Sequence, residues 1–425
     1  MLVPPWLKGY RREDLPGDLS AGLTTAVLLI PQGMAYAMLA GLPPVVGLYA
    51  STAPLFLYAL VGSSRQLAVG PAAMIALMVG TAVGGLSPEP AGRVPAAVLL
   101  AALVGIVMLG MAALRLDRLT RVLTHPVLVG FTGAAALIIG ASQLRHLLGV
   151  ELPRTHALHQ VLGAVIARLD QVHGLTAVLG AGSVALLLVL ERTFRRLPRA
   201  LLVMALATLG VLLLGPAAEG IAVVGEVPAG LPAVALPTLT GLPLGSLGGA
   251  ALAIALVAYV ESISVARAFA RRSGHEIDPR RELLGLSLAN LGGSLVGAFP
   301  VTGGFGRTAV NAQAGAKSPV ASLVSGVVLL ATLLFLTPLF EHLPRAVLAA
   351  IIVVAVSKLF DHAELRRLYR EARGEFAEAA LTFAGTLALG IEAGLAVGVI
   401  FALGRRAWLA QRRAPLGEAV ALRRR

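Results

Sequence analysis

The sequence predicts an all-α polytopic membrane protein of fourteen transmembrane segments, arranged as an inverted repeat of seven plus seven. Three observations carry that expectation. Of 425 residues, 57% are hydrophobic and 13% charged, with a mean hydropathy of +0.84, whereas a soluble domain carries roughly a quarter charged residues. Apolar runs near the length of about 20 residues needed to cross a bilayer recur from Leu19 to residue 410. Lysine and arginine gather in alternate short connections, as the positive-inside bias requires. The net charge of +13 is spread over those connections and builds no nucleic-acid face. The absence of cysteine excludes disulfides, thiolate chemistry and cysteine-based metal sites. His156 and His159 come nearest to a ligand pair and read as a solvated loop, so neither metal nor cofactor is expected.

Residues 1–18 have their charges late and no cleavage motif, which marks a cytoplasmic, interfacial lead-in and not a signal peptide. Asp18 is placed to cap the first helix. The first run, Leu19 to Gly41, is expected to break at Pro31-Gln32-Gly33, and a second span covers Pro44 to Gly62. A basic link containing Arg65 leads to Gly70-Pro71 and a run ending near Val83, too short to cross the bilayer. It is expected to be a half-helix starting at mid-membrane, with Pro71 near its first turn. A fourth span, Val94 to Leu114, precedes a basic loop with Arg115, Arg118 and Arg121. Three more follow near 125–148, 172–191 and 199–215, the last two joined by a basic turn ending in Arg195-Arg196. These complete a first repeat, 19–215. A Pro/Gly-rich extracytoplasmic connection, 216–245, holds Glu219 and Glu226 but no Lys or Arg.

The second repeat, 246–410, has the same layout. A span near 246–270 carries Glu261, and a basic loop holds Arg267, Arg271, Arg272, Arg280 and Arg281. After a span near 282–299, the break at Gly303–Arg307 opens a second short helix reaching about Ala314. Spans near 318–337 and 343–358 precede a loop with Arg366, Arg367, Arg370 and Arg373. A last pair, 376–390 and 391–410, has Glu392 near its outer turn and is followed by a basic cytoplasmic tail, 411–425. Loop charge puts both termini in the cytoplasm and the chain in the cell (inner) membrane. Arg145, Arg154 and Arg168 on the outer side are the exception. An odd number of spans per half forces opposite orientations, so the third and tenth segments fall in matching places. Paired interrupted segments in an inverted repeat are the best sequence pointer to a transporter's binding site.

The stretch from Phe299 to Pro319 is the centre of this layout. Gly303, Gly304 and Gly306 let the backbone unwind, which a bilayer tolerates only beside a cavity or inside protein. Arg307 then stands in the first turn of a short helix, whose N-terminus carries partial positive charge. Such a place suits an anion, or a structural ion pair. Gln32 offers an amide to a ligand or to backbone freed near Pro31. Tyr36 shares its helix face, for binding or for packing. Glu261, the only carboxylate from Ala250 to Val265, is a candidate to pair with Arg307 or to carry a coupled proton. Arg65 reads either as a positive-inside anchor or as an attractor of cytoplasmic anions.

One resemblance is specific. Pro31-Gln32-Gly33-Met34-Ala35-Tyr36-Ala37 through Gly41-Leu42-Pro43-Pro44, Gly47-Leu48-Tyr49-Ala50-Ser51 and Gly62-Ser63-Ser64-Arg65-Gln66 to Gly70-Pro71 resemble the signature of the SulP (sulfate permease) anion transporters, the group that includes prestin. Thr302-Gly303-Gly304-Phe305-Gly306-Arg307-Thr308-Ala309-Val310-Asn311 resembles that family's second marker. The resemblance runs from about Asp18 to Ala410. It implies a core domain (spans 1–4 and 8–11) moving against a gate domain (spans 5–7 and 12–14), elevator-like, usually in a homodimer. It places the anion at Gln32, Tyr36, the backbone of Ala72, and Phe305, Gly306 and Arg307. Family members often have serine where this chain has Gly306, and the position of Ala72 can be aromatic. They commonly end in a STAS domain, whereas here only a basic tail follows Trp408.

The expected function is secondary active transport of a small anion such as sulfate, bicarbonate, chloride or a dicarboxylate such as fumarate. Proton-coupled symport through Glu261 is the expected mode. An uncoupled exchanger or channel, a nucleobase carrier and a non-transporting membrane scaffold remain alternatives. Sodium coupling is disfavoured because Val265 and Phe305 stand where related sodium-dependent carriers bear hydroxyls. There is no Walker A loop, HExxH pair or nucleophile–base pair, so no enzyme is expected, and Gly292-Gly293 fits close helix packing.

Overall fold

The computed structural model describes residues 5–115, 124–152, 158–194, 198–239, 241–390 and 393–406. The expectations placed on Arg118, Arg121, Arg154, His156, Arg195, Arg196, Glu392, Trp408 and the tail lie outside the described residues.

The chain is mostly helical, and among the described residues eight helices are long and apolar enough to cross a membrane. In chain order the elements are α1 (Leu15–Leu39), α2 (Pro44–Tyr49), α3 (Ala53–Val61), β1 (Val69–Gly70), α4 (Ala73–Val83), α5 (Val94–Ala113) and α6 (His125–Leu148). Then come α7 (Leu158–Ile166), α8 (Gly174–Thr193), α9 (Arg199–Leu214), α10 (Leu244–Ser273), α11 (Pro279–Leu295), β2 (Thr302–Gly303) and α12 (Phe305–Gln313). The rest are α13 (Val320–Ala331), α14 (Arg345–Val356), α15 (His362–Glu371), α16 (Arg373–Leu389) and α17 (393–406).

Helix α1 does not break at Pro31-Gln32-Gly33 as its sequence suggests. Proline removes one N–H from the ladder, but α1 is buried along most of its length against α2, α12, α13 and α14, and that packing carries it through the gap. Asp18 does not cap α1 either. The helix begins earlier, and the buried Asp18 carboxylate accepts the N–H groups of Lys317 (2.7 Å) and Ser318 (3.0 Å) and the Ser318 hydroxyl (2.6 Å). It ties the first helix to the connection after α12. The second span is two pieces, with a turn at residues 50–52 between α2 and α3. Gly47 lets α2 lie on α1 backbone to backbone: a Cβ there would sit 1.9 Å from the carbonyl oxygen of Gly33.

The arginine-rich stretch expected as a loop at 366–373 is instead largely α15, a short amphipathic helix. Asp361 caps it through the N–H of Glu364 (2.9 Å), and its Leu368 packs with Val129 and Ala379 while the arginines face out. Arg367 binds the Glu364 carboxylate at 2.5 and 2.8 Å, and His125 at the start of α6 adds a 3.0 Å contact. The Arg367 guanidinium, helped by His125, holds that carboxyl down at about 2.

The connection at 216–245 lies back over the second half of the chain. Val224 N–H donates to Leu343 O (2.8 Å), Arg345 N–H to Ala222 O (2.9 Å) and Ala235 N–H to Leu295 O (2.9 Å). The two short helices meet through a minimal ribbon. Strands β1 and β2 pair antiparallel, Val69 with Gly303 and Gly70 with Thr302, immediately before α4 and α12 begin.

Candidate functional site

A two-stranded ribbon inside a membrane protein leaves many backbone groups to satisfy, because hydrocarbon supplies no partners. Buried hydroxyls and amides from α10, α11 and α12 do this. Ser262 accepts the Gly303 N–H at 2.8 Å and shares a 2.8 Å bond with the Thr302 hydroxyl, which donates on to Ala258 O at 2.8 Å. Asn290 grips Val301 twice, accepting its N–H at 2.9 Å and donating to its carbonyl at 3.1 Å. Thr308 accepts the Ala68 N–H at 3.2 Å, and Asn311 donates to Gln66 O at 2.9 Å. At the start of α11 the fully buried Glu282 accepts from the Tyr58 hydroxyl (2.7 Å) and from the backbone of Ser63 (2.7 Å) and Ser64 (3.0 Å).

Arg307 closes the ribbon. It occupies the first turn of α12, is 3% exposed, and donates to Gly70 O (3.0 Å), to Thr302 O (3.1 Å) and to Pro71 O. These carbonyls lie just before the starts of α4 and α12, so one guanidinium fastens both half-helix ends. A Cβ on Gly304 would lie 3.0 Å from the guanidinium carbon, so glycine makes room for it. The ion pair suggested between Arg307 and Glu261 is not formed. The guanidinium is taken up by carbonyls, and Glu261 Oε2 is enclosed without a hydrogen-bond partner. Tyr36 and Glu261 nevertheless lie near enough to Arg307 to feel its charge.

The other residues singled out from sequence fall around this junction. Ala72 is the buried N-cap of α4. Phe305 and Gly306 form the first turn of α12 and open onto free space: Phe305 is 56% exposed and leans on Phe269 at 5.5 Å, and nothing lies within 4 Å of a Cβ built on Gly306. Gln32 is one turn before the buried Tyr36 and has an unpartnered Oε1. It lines a cavity of about 370 Å³ walled by α1 on one side and by α8, α9 and α14 on the other, with Val310 of α12 also exposed to it. Tyr36, Glu261 and Arg307 are not in that wall. Arg65 is exposed in the turn after α3, beside His275, whose ring burial and the Arg65 charge push down below its ordinary value.

Sequence reasoning gave no role to Ser262 or Asn290, whose signal was polarity within apolar or glycine-rich segments, and took Thr302, Thr308 and Asn311 only as part of the second marker.

Residues 15–382 match the model of the Sulfate permease family. The chain belongs to that family. It is 40% identical over 411 residues to "Sulfate transporter 4.1, chloroplastic" of Arabidopsis thaliana, covering 94% of this chain and 59% of the plant protein. It is 37% identical to a "Probable sulfate transporter" of Mycobacterium tuberculosis, covering 93% of this chain and 70% of that one. Its fold is similar to that of the murine Solute Carrier 26 family member A9 anion transporter in the inward-facing state, with a TM-score of 0.89 and 26% identity over 96% of this chain and 71% of that chain. The chain spans about three-fifths of the plant relative's length. These relatives are transporters and not enzymes.

Proposed function

We propose that this chain is a secondary active transporter of a small anion, sulfate first, and that the anion binds between the starts of α4 and α12. The observation that carries this is the buried guanidinium of Arg307 at the junction of two helix N-termini. A fixed charge and two sets of first-turn N–H groups, set in low-dielectric surroundings, favour a small anion. Gln32, Tyr36, the backbone of Ala72, Phe305 and Gly306 surround it. The sulfate-transporter names of the plant and mycobacterial relatives support the substrate class. Bicarbonate, chloride and fumarate carry the same sign and are the competitors to test.

On this reading the chain is a seven-plus-seven inverted repeat in the cell membrane with both termini inside, working as a homodimer. A core holding α1–α5 and α10–α13 moves against a gate holding α6–α9 and α14–α17. Glu261, whose Oε2 is enclosed without a hydrogen-bond partner, takes up a proton as the anion enters and so couples transport to the pH gradient. The test is uptake of labelled sulfate into proteoliposomes, driven by an imposed pH gradient and challenged with each competing anion. Saturable, gradient-driven uptake is expected, and Glu261→Gln abolishes the pH dependence while leaving anion exchange. Background uptake of every anion overturns the transporter reading; pH-driven uptake that survives Glu261→Gln overturns the coupling role alone.

A further inference from the structure

The cavity beside Gln32 ends in a charged group that the central site does not use. Glu191 at the end of α8, Arg199 at the start of α9 and Lys358 in the turn after α14 all line it. One oxygen of Glu191 holds the Lys358 ammonium and lies 3.8 Å from the Arg199 guanidinium. Glu191 and Arg199 also line an adjoining cavity of about 450 Å³, together with Arg192 and Gln313 at the end of α12. Glu191 is the one carboxylate in the described walls of both cavities, set against three cations. Apart from these charged groups the wall is mostly apolar, through Leu187, Ile351, Val27 and Leu23, with Thr24 and Gln32 its uncharged polar side chains.

We infer that Lys358 and Arg199 form a second anion site, at the cytoplasmic end of the cavity, which the tethered carboxylate of Glu191 occupies until a solute anion displaces it. This rests on the reading of the chain as an anion transporter. The carboxylate oxygen already marks a position that a solute oxygen can take, touching an ammonium and facing a guanidinium. The pairs are loosely held: the side chains are 54% exposed at Lys358, 32% at Glu191 and 29% at Arg199. Partly exposed pairs of this kind contribute little and give way to competing ions. A divalent oxyanion such as sulfate answers both cations at once, whereas chloride answers one, so the site favours sulfate before the central site is reached. Once displaced, Glu191 leaves the cations to the solute and lies beside Arg192.

Inside-out membrane vesicles present this face to the medium. The concentration dependence of initial sulfate uptake is measured for the unaltered chain, Glu191→Gln, Lys358→Met and the double variant. Glu191→Gln is expected to lower the half-saturating sulfate concentration about threefold to fivefold, the weight of a partly exposed ion pair, with the maximal rate unchanged. Lys358→Met raises that concentration, and in its presence Glu191→Gln has no further effect, because the lysine that both anions compete for is gone. An equal effect of Glu191→Gln in both backgrounds means that the carboxylate acts only through its general field, and the tethered-anion proposal falls while transport stands. Absence of sulfate uptake by the unaltered chain removes the transport reading and this proposal together.

Discussion

At the scale of single residues, Arg307 has a structural duty that its charge alone does not announce. Three buried carbonyls, from Gly70, Pro71 and Thr302, depend on one guanidinium. Hydrogen bonds to a charged group contribute about 1.5–3 kcal/mol each, and a buried acceptor left without a donor costs about 1–3 kcal/mol. Arg307→Ala is therefore expected to destabilise the protein by about 3 kcal/mol and to abolish uptake. Arg307→Lys keeps the charge but has no planar fork to span carbonyls from two strands, so it folds with a smaller loss and binds sulfate weakly. Thermal unfolding in detergent, read beside sulfate uptake, checks both. Equal stability of all three proteins would mean that the fork does not hold the ribbon. Arg307 was legible in the sequence because a lone charge among glycines and apolar residues stands out. Ser262, Thr302 and Asn290 were not. A hydroxyl in an apolar helix ordinarily bonds back to its own i−4 carbonyl, and nothing local says that the partner of Ser262 lies 40 residues on.

At the scale of elements, glycine governs which helices meet at their backbones. The α1–α2 contact has the carbonyl of Gly33 facing Gly47, and an added methyl at Gly47 would overlap it. Gly47→Ala is expected to cost about 1–3 kcal/mol through forced separation of the two helices. Gly182 on α8 has nothing within 4 Å of its absent Cβ, so Gly182→Ala is expected to be neutral or to stabilise by up to about 1 kcal/mol through helix propensity. Unfolding midpoints of the two variants, compared with the unaltered chain, separate close approach from a general dislike of glycine in helices. Spans were readable because length and hydropathy report them directly, and the half-helices because they were too short. The elements misread from sequence are those where packing overrides a local signal. Pro31 signals a break, yet the buried flanks of α1 continue the helix. Arg366, Arg367 and Arg370 signal a loop, yet Leu368 gives α15 a face to bury against α6 and α16.

At the scale of the whole molecule, transport requires that the space beside Gln32 open to one side of the membrane at a time. The cavity wall is divided between α1 and Val310 of α12 on one side and α8, α9 and α14 on the other, and these sets belong to the two bodies proposed to move. Relative motion of the bodies must therefore change the cavity, and residues facing each other across it must change their exposure together. Because the chain contains no cysteine, one introduced thiol reports without background. Leu28→Cys on α1 and Val354→Cys on α14 are expected to react with a charged, membrane-impermeant thiol reagent from the cytoplasmic face and not from outside. During sulfate turnover, molecules facing outward or occluded are withdrawn from the reagent, so both rates fall in proportion to that population, about twofold if half the molecules are withdrawn. Inside-out and right-side-out vesicles, labelled with and without sulfate, measure this. A fall at one wall only would mean local shielding by bound anion and not movement of the bodies. Labelling from the outside would reverse the orientation that the arginine-rich connections imply.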